Sequence, residues 1–161
     1  MNGHLLVTGA SAGVGAALCR HAIQRGWRVS AWARRGDRLD ALRRECGDHL
    51  AVATVDVTDA AAVARGVDAA VAAHGPFHAV VANAGRGLDG AILDLTADDL
   101  AAVFDVNLLG VHRCLTASRP HWAAGARVIV VSSIVADISV PRMGGYRSEE
   151  HTSELQSLLI I

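Results

Sequence analysis

A glycine-rich segment near the start of the sequence contains the residue types that can bind a phosphate group. It reads Thr-Gly-Ala-Ser-Ala-Gly-Val-Gly over residues 8–15, between a short apolar run and a segment with helical spacing. Glycines let the backbone turn tightly and approach a pyrophosphate, and a helix that starts here directs free N–H groups at the anion. The segment therefore predicts a phosphate-binding turn, although a purely structural turn can share the pattern.

The elements that must position this turn are short apolar runs that alternate with helical segments. The runs are rich in Val and lack polar alternation, so each is predicted to be a strand buried on both faces of a parallel sheet. The predicted strands are residues 4–8, 28–33, 50–55, 78–82 and 127–131, and the predicted helices are residues 14–25, 38–46, 60–74 and about 98–118. This alternation specifies right-handed βαβ units and an α/β fold with a doubly wound parallel sheet.

Two helix starts are marked by residues that can cap the free N–H groups of a first turn. They are Thr58-Asp59 and Thr96-Ala97-Asp98-Asp99. Asp94, Asp98, Asp99 and Asp105 could also suggest acid–base chemistry, but capping and solvation explain them more simply.

Several landmarks in chain order resemble the short-chain dehydrogenase/reductase family. The first turn has that family's Thr-Gly-x-x-x-Gly-x-Gly spacing, which differs from the better-known Gly-x-Gly-x-x-Gly. The further landmarks are Asp56-Val57, Asn83-Ala84-Gly85, Asn107, Ser133 and, thirteen residues later, Tyr146. The resemblance extends over residues 4–146. It implies a Rossmann-like NAD(P)-binding domain at residues 1–146, incomplete at its C-terminal side.

The resemblance also implies hydride transfer between a nicotinamide cofactor and a carbonyl or secondary alcohol. As catalytic residues, Tyr146 would act as general acid or base, Ser133 would hydrogen-bond the reacting oxygen, and Asn107 would hold a water in the proton relay. Asp56 and Val57 would contact the adenine. The implied cofactor-binding residues are Gly9, Ser11, Gly13, Val14, Gly15, Asp56, Val57, Asn83, Ala84 and Gly85.

Two arginines follow the second predicted strand, where a dinucleotide-binding fold selects its cofactor. An acidic residue there binds the ribose 2′-OH of NAD, whereas an Arg accommodates the 2′-phosphate of NADP. This sequence has Arg34 and Arg35, and its next acidic residue is Asp37. We expect NADP as the cofactor, with Arg34 as the main contact and Arg35 as a second one, because a guanidinium binds phosphate through a fork of donors. The alternatives are an NAD-dependent enzyme and two arginines that only solvate a loop.

The base role of Tyr146 requires a nearby positive charge, because the pKa of an unperturbed phenol is about 10. The family supplies that charge with a Lys four residues after the Tyr. Here Glu150 occupies the position, and the sequence contains no Lys. A carboxylate one helical turn away would raise the pKa of the phenol, and Arg147 projects from a different side of a helix. We therefore expect little or no reductase activity from this chain.

The composition of the chain changes after Tyr146. Three of the four Glu residues fall within the last fifteen positions, which contain no Ala, Val or Gly. Residues 147–157 resemble the translation of a sequencing-library adapter, so we expect residues 147–161 to be a non-native tail on a truncated chain. A divergent native C-terminus is the alternative. Family members have roughly 250 residues in one domain, and the full-length parent is expected to form a homo-oligomer.

Composition excludes several other classes of protein. The chain has 161 residues, 52% of them hydrophobic, and a net charge of −1. These values exclude a disordered chain and give no electrostatic attraction to nucleic acid or membrane, and no apolar run approaches the roughly 20 residues of a membrane span. No secretory signal is visible at the first residues, so the cytoplasm is the expected location.

The cysteines and histidines do not predict a metal site. Cys19, Cys46 and Cys114 lie far apart without a Cys-x-x-Cys pair, and the eight His residues lack metal-like spacing. Two alternatives to a family enzyme remain open. One is a non-catalytic dinucleotide-binding protein that kept the phosphate turn, and the other is a fragment with no function of its own.

Overall fold

The computed structural model describes residues 3–133 of the chain. Met1, Asn2 and residues 134–161 lie outside the described residues. The structure therefore gives no information on Tyr146, Arg147 and Glu150, or on the expected non-native tail at residues 147–161.

Five parallel strands and five α-helices alternate along the described chain. In order they are β1 (His4–Thr8), α1 (Gly13–Gln24), β2 (Arg28–Ala33), α2 (Gly36–Cys46), β3 (Leu50–Thr54), α3 (Ala60–His74), β4 (Phe77–Ala82), α4 (Ala97–Phe104), α5 (Gly110–Ser118) and β5 (Trp122–Val130). One turn of π-helix, Asp105–Leu109, joins α4 to α5. The strands form a single sheet in the order β3-β2-β1-β4-β5, which confirms the predicted α/β fold with a doubly wound parallel sheet.

The strand order reverses direction between β1 and β4. The chain first adds strands on one side of β1, then crosses over and continues on its other side with β4 and β5. In such sheets the loops that leave the two central strands diverge, and a crevice opens outside their carboxyl ends. The fold therefore places a cleft where the glycine-rich turn follows β1.

Apolar side chains from the two faces of the sheet form two separate cores. Leu5 and Val7 of β1 point to the face covered by α1 and α2, whereas Leu6 points to the face covered by α3 and α5. This alternation is the period of two expected along a strand, with helices on both sides. Cys19 and Cys114 are buried free thiols, one in each core, and burial raises the pKa of each to about 12.

The prediction that every strand is buried on both faces is wrong for β3 and β5. β1 is buried at all five positions, whereas most residues of β3 and β5 are only partly covered, and Ile129 is 52% exposed. The physical reason is position, because these two strands end the sheet order among the described residues. β5 also begins at Trp122, five residues earlier than predicted, and its pairing with β4 contains an irregularity between Phe77 and Ala79.

Two helices are capped as the sequence predicts. The Asp59 carboxylate accepts hydrogen bonds from the Ala61 and Ala62 backbone N–H groups at 2.8 and 3.0 Å. At α4 a capping box is complete, because Thr96 Oγ1 accepts from the Asp99 N–H at 3.1 Å while Asp99 accepts from the Thr96 N–H at 3.0 Å. Asp59 and Thr96 therefore each satisfy free N–H groups of a first turn, and Asp99 satisfies the N–H of the N-cap residue Thr96.

The long helix predicted at residues 98–118 is present, but it is interrupted by the π-turn. The continuous helical stretch Ala97–His121 has 25 residues and contains an 18-residue window with a mean hydropathy of 1.3, which by length and composition would suit a membrane span. This corrects the expectation that no apolar segment approaches that length. In the fold, Val103, Val111 and Cys114 of this stretch are buried, so the protein interior accounts for part of its apolar character.

A buried histidine lies at the amino-terminal end of β1, the end of the sheet opposite the cleft. His4 is 1% exposed, and its Nδ1 lies 2.8 Å from the Gly75 carbonyl oxygen. A carbonyl only accepts, so Nδ1 carries the proton and Nε2 accepts from the Ser30 hydroxyl at 2.9 Å. The pKa of His4 is lowered to about 4, mainly by burial and also by the nearby His74, His78 and Arg28, while the Gly75 hydrogen bond opposes the shift. The fold therefore holds His4 neutral.

Because the pKa of His4 is lower in the folded chain than the ordinary value of 6.5, acid favours the unfolded state. We expect the free energy of unfolding to be largest above pH 6.5 and to fall as the pH approaches 4, by about 2 kcal/mol between pH 7.5 and pH 5. Urea unfolding across this range measures it. His4→Gln should weaken the dependence, leaving the smaller contribution of His74, whose pKa is also lowered. His21→Gln, at an exposed position of α1, is the control, and a flat profile for the original chain would contradict the assignment.

Candidate functional site

A cleft of about 420 Å³ opens at the carboxyl ends of β1, β2 and β4. We call it the switch-point cleft, since it lies where the strand order reverses. The expected cofactor-binding residues line it except for Val14 and Gly15. Val14 is 64% exposed on the first turn of α1, and Gly15 is buried in the same turn. The residues singled out along the sequence therefore come together at one place.

The three glycines of the turn meet three different steric demands. Gly9 has a φ of +69°, and a Cβ there would lie 2.9 Å from the Ala84 Cα. Gly13 has a φ of +53° and faces open space, with nothing within 4 Å of a Cβ. At Gly15 a Cβ would lie 2.6 Å from the Gly9 carbonyl oxygen. Gly9 and Gly15 thus allow close packing of the protein itself, whereas Gly13 leaves room on the side of the cleft.

The Thr8 and Asn83 side chains tie the carboxyl ends of β1 and β4 together. Thr8 Oγ1 accepts hydrogen bonds from the Asn83 and Ala84 backbone N–H groups at 3.0 and 2.9 Å. In the opposite direction, Asn83 Nδ2 donates to the Thr8 carbonyl oxygen at 3.0 Å. These bonds satisfy backbone groups where the strand ladder has ended, and they fix the width of the cleft at its base.

The helix that follows the glycine turn begins without a side-chain cap. Its N-cap residue is Ala12, and its first turn contains no acidic residue. By contrast, α3 and α4 start with the capping side chains of Asp59 and Thr96. The free N–H groups of α1 therefore retain their capacity to bind an anion from outside the chain, supported by the positive end of the helix dipole.

The two arginines after β2 extend to different parts of the cleft. Arg35 donates to Ser11 Oγ from Nε at 3.1 Å and from Nη2 at 2.8 Å, so it lies against the glycine turn. Arg34 lies near Asp56 and lowers the pKa of that carboxyl. The larger cause of that lowered pKa is the Thr58 backbone N–H, which donates to Asp56 at 3.0 Å. Both arginines line the cleft and are exposed to solvent.

Asn107, the expected member of a proton relay, is 7% exposed and lies in the π-turn. Its Oδ1 accepts from the Arg86 backbone N–H at 2.8 Å, and its Nδ2 donates to the Arg86 carbonyl oxygen at 3.0 Å. A Cβ on Gly85 would be 3.4 Å from the same Oδ1. The structure therefore brings Asn107 together with the segment that follows β4.

Of the other two expected catalytic residues, the structure describes Ser133 but not Tyr146. Ser133 is half-buried and follows β5, the strand next to β4, so it lies beyond the same edge of the sheet as the cleft. Tyr146 lies outside the described residues. Within residues 3–133, no group of three His, Cys, Asp or Glu side chains is arranged to hold a metal ion.

Thr8 is a residue of the site that sequence reasoning missed. The sequence signal was available, since Thr8 is the first residue of the Thr-Gly-x-x-x-Gly-x-Gly segment. Trp32 and Val106 also line the cleft, but their apolar side chains carry no pattern that separates a cleft wall from a core position. The pairing of Arg35 with Ser11, 24 residues apart, is likewise visible only in the fold.

Comparisons with known proteins agree with this geometry. A sequence model of the family described as short chain dehydrogenase matches residues 3–150. An uncharacterized oxidoreductase of Methylorubrum extorquens is 33% identical over 146 residues, which cover 88% of this chain and 58% of that protein. The chain thus spans less than two thirds of the length of this curated relative.

The solved structures with a similar fold include two that contain a nicotinamide cofactor. An alcohol dehydrogenase from the archaeon Thermococcus sibiricus, complexed with 5-hydroxy-NADP, has a TM-score of 0.89 and 29% identity, covering 97% of this chain and 68% of its own. A short chain dehydrogenase/reductase from Burkholderia phymatum, in complex with NAD, has a TM-score of 0.88 and 28% identity, covering 98% of this chain and 59% of its own.

The link between β1 and β4 can be tested at Thr8. Thr8→Val keeps the volume of the side chain but removes the acceptor for two backbone N–H groups, so we expect a loss of about 2 kcal/mol in the free energy of unfolding. The Asn83 and Ala84 amides should also exchange faster with solvent. Thr8→Ser keeps the acceptor and should leave both amides protected. Unfolding in urea and amide hydrogen exchange measure the two effects, and protected amides in the Val variant would refute the link.

Proposed function

Because the chain belongs to the short-chain dehydrogenase/reductase family of NAD(P)-binding oxidoreductases, we propose that its switch-point cleft binds NADP(H). The reaction proposed for the protein is hydride transfer between this cofactor and a small-molecule carbonyl or secondary alcohol. One observation carries the proposal more than any other. The glycine turn and the uncapped start of α1 open onto a cleft at the point where the strand order reverses.

The phosphate groups of the cofactor are proposed to lie against this turn. Gly13 leaves space for them, and the free N–H groups of α1 supply donors without a competing carboxylate. Ser11 accepts two hydrogen bonds from Arg35, which leaves the proton of its hydroxyl for an oxygen acceptor in the cleft. These residues together match the donor set that a pyrophosphate requires.

The preference for NADP over NAD is proposed from Arg34 and Arg35. Both line the cleft beyond β2, and the bonds to Ser11 hold Arg35 in place before a ligand arrives. Two guanidinium groups favour a 2′-phosphate, which carries more negative charge than a hydroxyl. The two solved relatives were complexed with 5-hydroxy-NADP and with NAD, so the arginines rather than the family likeness support this choice.

The bound nicotinamide would supply or accept the hydride. Asn107 is proposed to hold a water of the proton relay, and its side-chain amide also fixes the backbone of Arg86. Ser133 would hydrogen-bond the reacting oxygen, and Tyr146 would transfer the proton. A phenol does this well at neutral pH only with a neighbouring cation. Glu150 occupies the position four residues after Tyr146, and the chain contains no Lys, so we propose that this chain turns over slowly or not at all.

A second candidate function is dinucleotide binding without catalysis. The glycine turn and the two arginines support cofactor binding, while the Glu at position 150 and the lack of any Lys argue against proton transfer. A sensor or regulator of this kind would bind NADPH with ordinary affinity and show no turnover with any carbonyl compound.

The cofactor proposal is tested by calorimetric titration of the intact chain with NADPH and NADH. We expect NADPH to bind at least about tenfold more tightly, since charge-assisted hydrogen bonds to phosphate contribute roughly 1.5–3 kcal/mol. Arg34→Asp should weaken NADPH binding and strengthen NADH binding. Arg44→Asp, at an exposed position in the last turn of α2, makes the same charge change as a control. An unchanged preference in the Arg34 variant would exclude Arg34 as the selecting residue, and no binding of either nucleotide would refute the proposed function.

The activity proposal is tested by following NADPH oxidation with a panel of aldehydes and ketones. The expected result is no oxidation above that of free NADPH, because the sequence has Glu150 four residues after Tyr146 and no Lys to supply a positive charge. Binding measured in the same sample shows whether the cofactor site is occupied. Turnover at the rate of an ordinary family member would contradict the proposal.

A further inference from the structure

Arg113 connects three parts of the chain, namely α5, the π-turn and the loop after β3. Its Nη2 donates to Asp105 Oδ1 at 2.7 Å and its Nη1 to the Asp105 carbonyl oxygen at 3.2 Å. The same Nη1 lies 3.5 Å from the Val57 carbonyl oxygen. The Arg113 side chain is only 26% exposed, so this ion pair is partly shielded from solvent. A single guanidinium on α5 thus holds the first residue of the π-turn and lies close to the loop after β3.

The π-turn needs such an anchor because its backbone pairing is unusual. The Gly110 N–H donates to the Asp105 carbonyl oxygen, five residues back instead of four. Conversion to α-helical pairing would remove one residue from the turn and rotate the helix on one side of it by about 100° relative to the other. Arg113 binds the carbonyl that accepts this bond, and it also binds the side chain of the same residue.

The orientation of Asn107 depends on that turn. Asn107 is the third of its five residues, and its side-chain amide bonds to both backbone groups of Arg86. A rotation of the turn would break these two hydrogen bonds between Asn107 and the segment after β4. Packing beyond the turn adds a second constraint, because a Cβ on Gly110 would lie 2.7 Å from Val57 Cγ2.

We propose that Arg113 is a positioning residue, which holds the π-turn in register so that Asn107 stays bonded to the Arg86 backbone at the switch-point cleft. The consequence for the cofactor rests on the proposed function. Loss of Arg113 should disturb the half of the cleft near Gly85 more than the half formed by Arg34 and Arg35, since the contact passes through Asn107. The effect of losing Arg113 on the hydrogen bonds of Asn107 can be measured in the absence of cofactor.

The first test measures hydrogen exchange of backbone amides by NMR in the cofactor-free chain. In Arg113→Met the Arg86 amide should exchange at least about tenfold faster than in the original chain, because its acceptor on Asn107 moves away. The Ala10 amide, which donates to the Trp32 carbonyl oxygen at 3.0 Å, reports on the integrity of the sheet and should keep its protection. Arg119→Met, at an exposed position of the same helical stretch, is the matched control and should leave both amides unchanged.

An unchanged Arg86 amide in Arg113→Met would overturn the inference. If Arg113→Met also loses protection at Ala10, its sheet is disturbed and a second variant is needed. The Arg86 and Ala10 amides are then compared in Asp105→Ala. This second variant removes the carboxylate that anchors Arg113 and leaves the arginine in place. Faster exchange at Arg86 alone would support the inference, and wild-type exchange there would overturn it.

The second test compares titrations with NADPH and with 2′,5′-ADP, which lacks the nicotinamide half. Arg113→Met should weaken NADPH binding by about tenfold and 2′,5′-ADP binding by much less. Equal losses for the two ligands would contradict a role through Asn107. If the original chain binds neither ligand, the proposed function fails, and the exchange measurement still decides the role of Arg113.

Discussion

The cross-link between the carboxyl ends of β1 and β4 is the constraint on which the rest of the site depends. At this point the chain changes the side on which it adds strands, so the two ends lose the regular ladder that binds them elsewhere. Thr8 and Asn83 replace the ladder with three hydrogen bonds. Gly9 and Gly15 then bring the glycine turn against the same corner, because neither position has room for a Cβ. The cleft follows from this tight packing.

The polar side chains of the described residues form two groups. One group stabilises the fold, and the other faces the cleft. Asp59 and the Thr96–Asp99 pair satisfy their own helix starts, and His4 is held neutral at the end of the sheet opposite the cleft. Around the cleft the pattern is reversed, since the start of α1 has no side-chain cap and the two arginines remain exposed. Groups that stabilise the chain are thus satisfied internally, while donors near the glycine turn retain capacity for an anion.

Most of the fold could be predicted from the sequence because its signals are local. Valine-rich runs, helical spacing and the caps at Asp59 and Thr96 each involve only neighbouring residues, and α3 has the predicted bounds. The partial exposure of β3 and β5 could not be predicted from local signals, since it depends on which strands lie at the two ends of the sheet order. The contacts of Arg35 with Ser11 and of Arg113 with Val57 depend on residues distant in sequence. The role of each expected cofactor-binding residue stays a prediction, as does the role of Tyr146.

We propose that the cleft beside the glycine turn is the binding site of a nicotinamide dinucleotide. The most direct measurement maps amide chemical shifts of the intact chain during addition of NADPH. We expect saturable changes concentrated at Gly9–Gly15, Asp56-Val57 and Asn83-Gly85, with little change around His4 at the amino-terminal end of β1. Saturable binding that leaves the glycine turn unperturbed, or the absence of any binding, would contradict it.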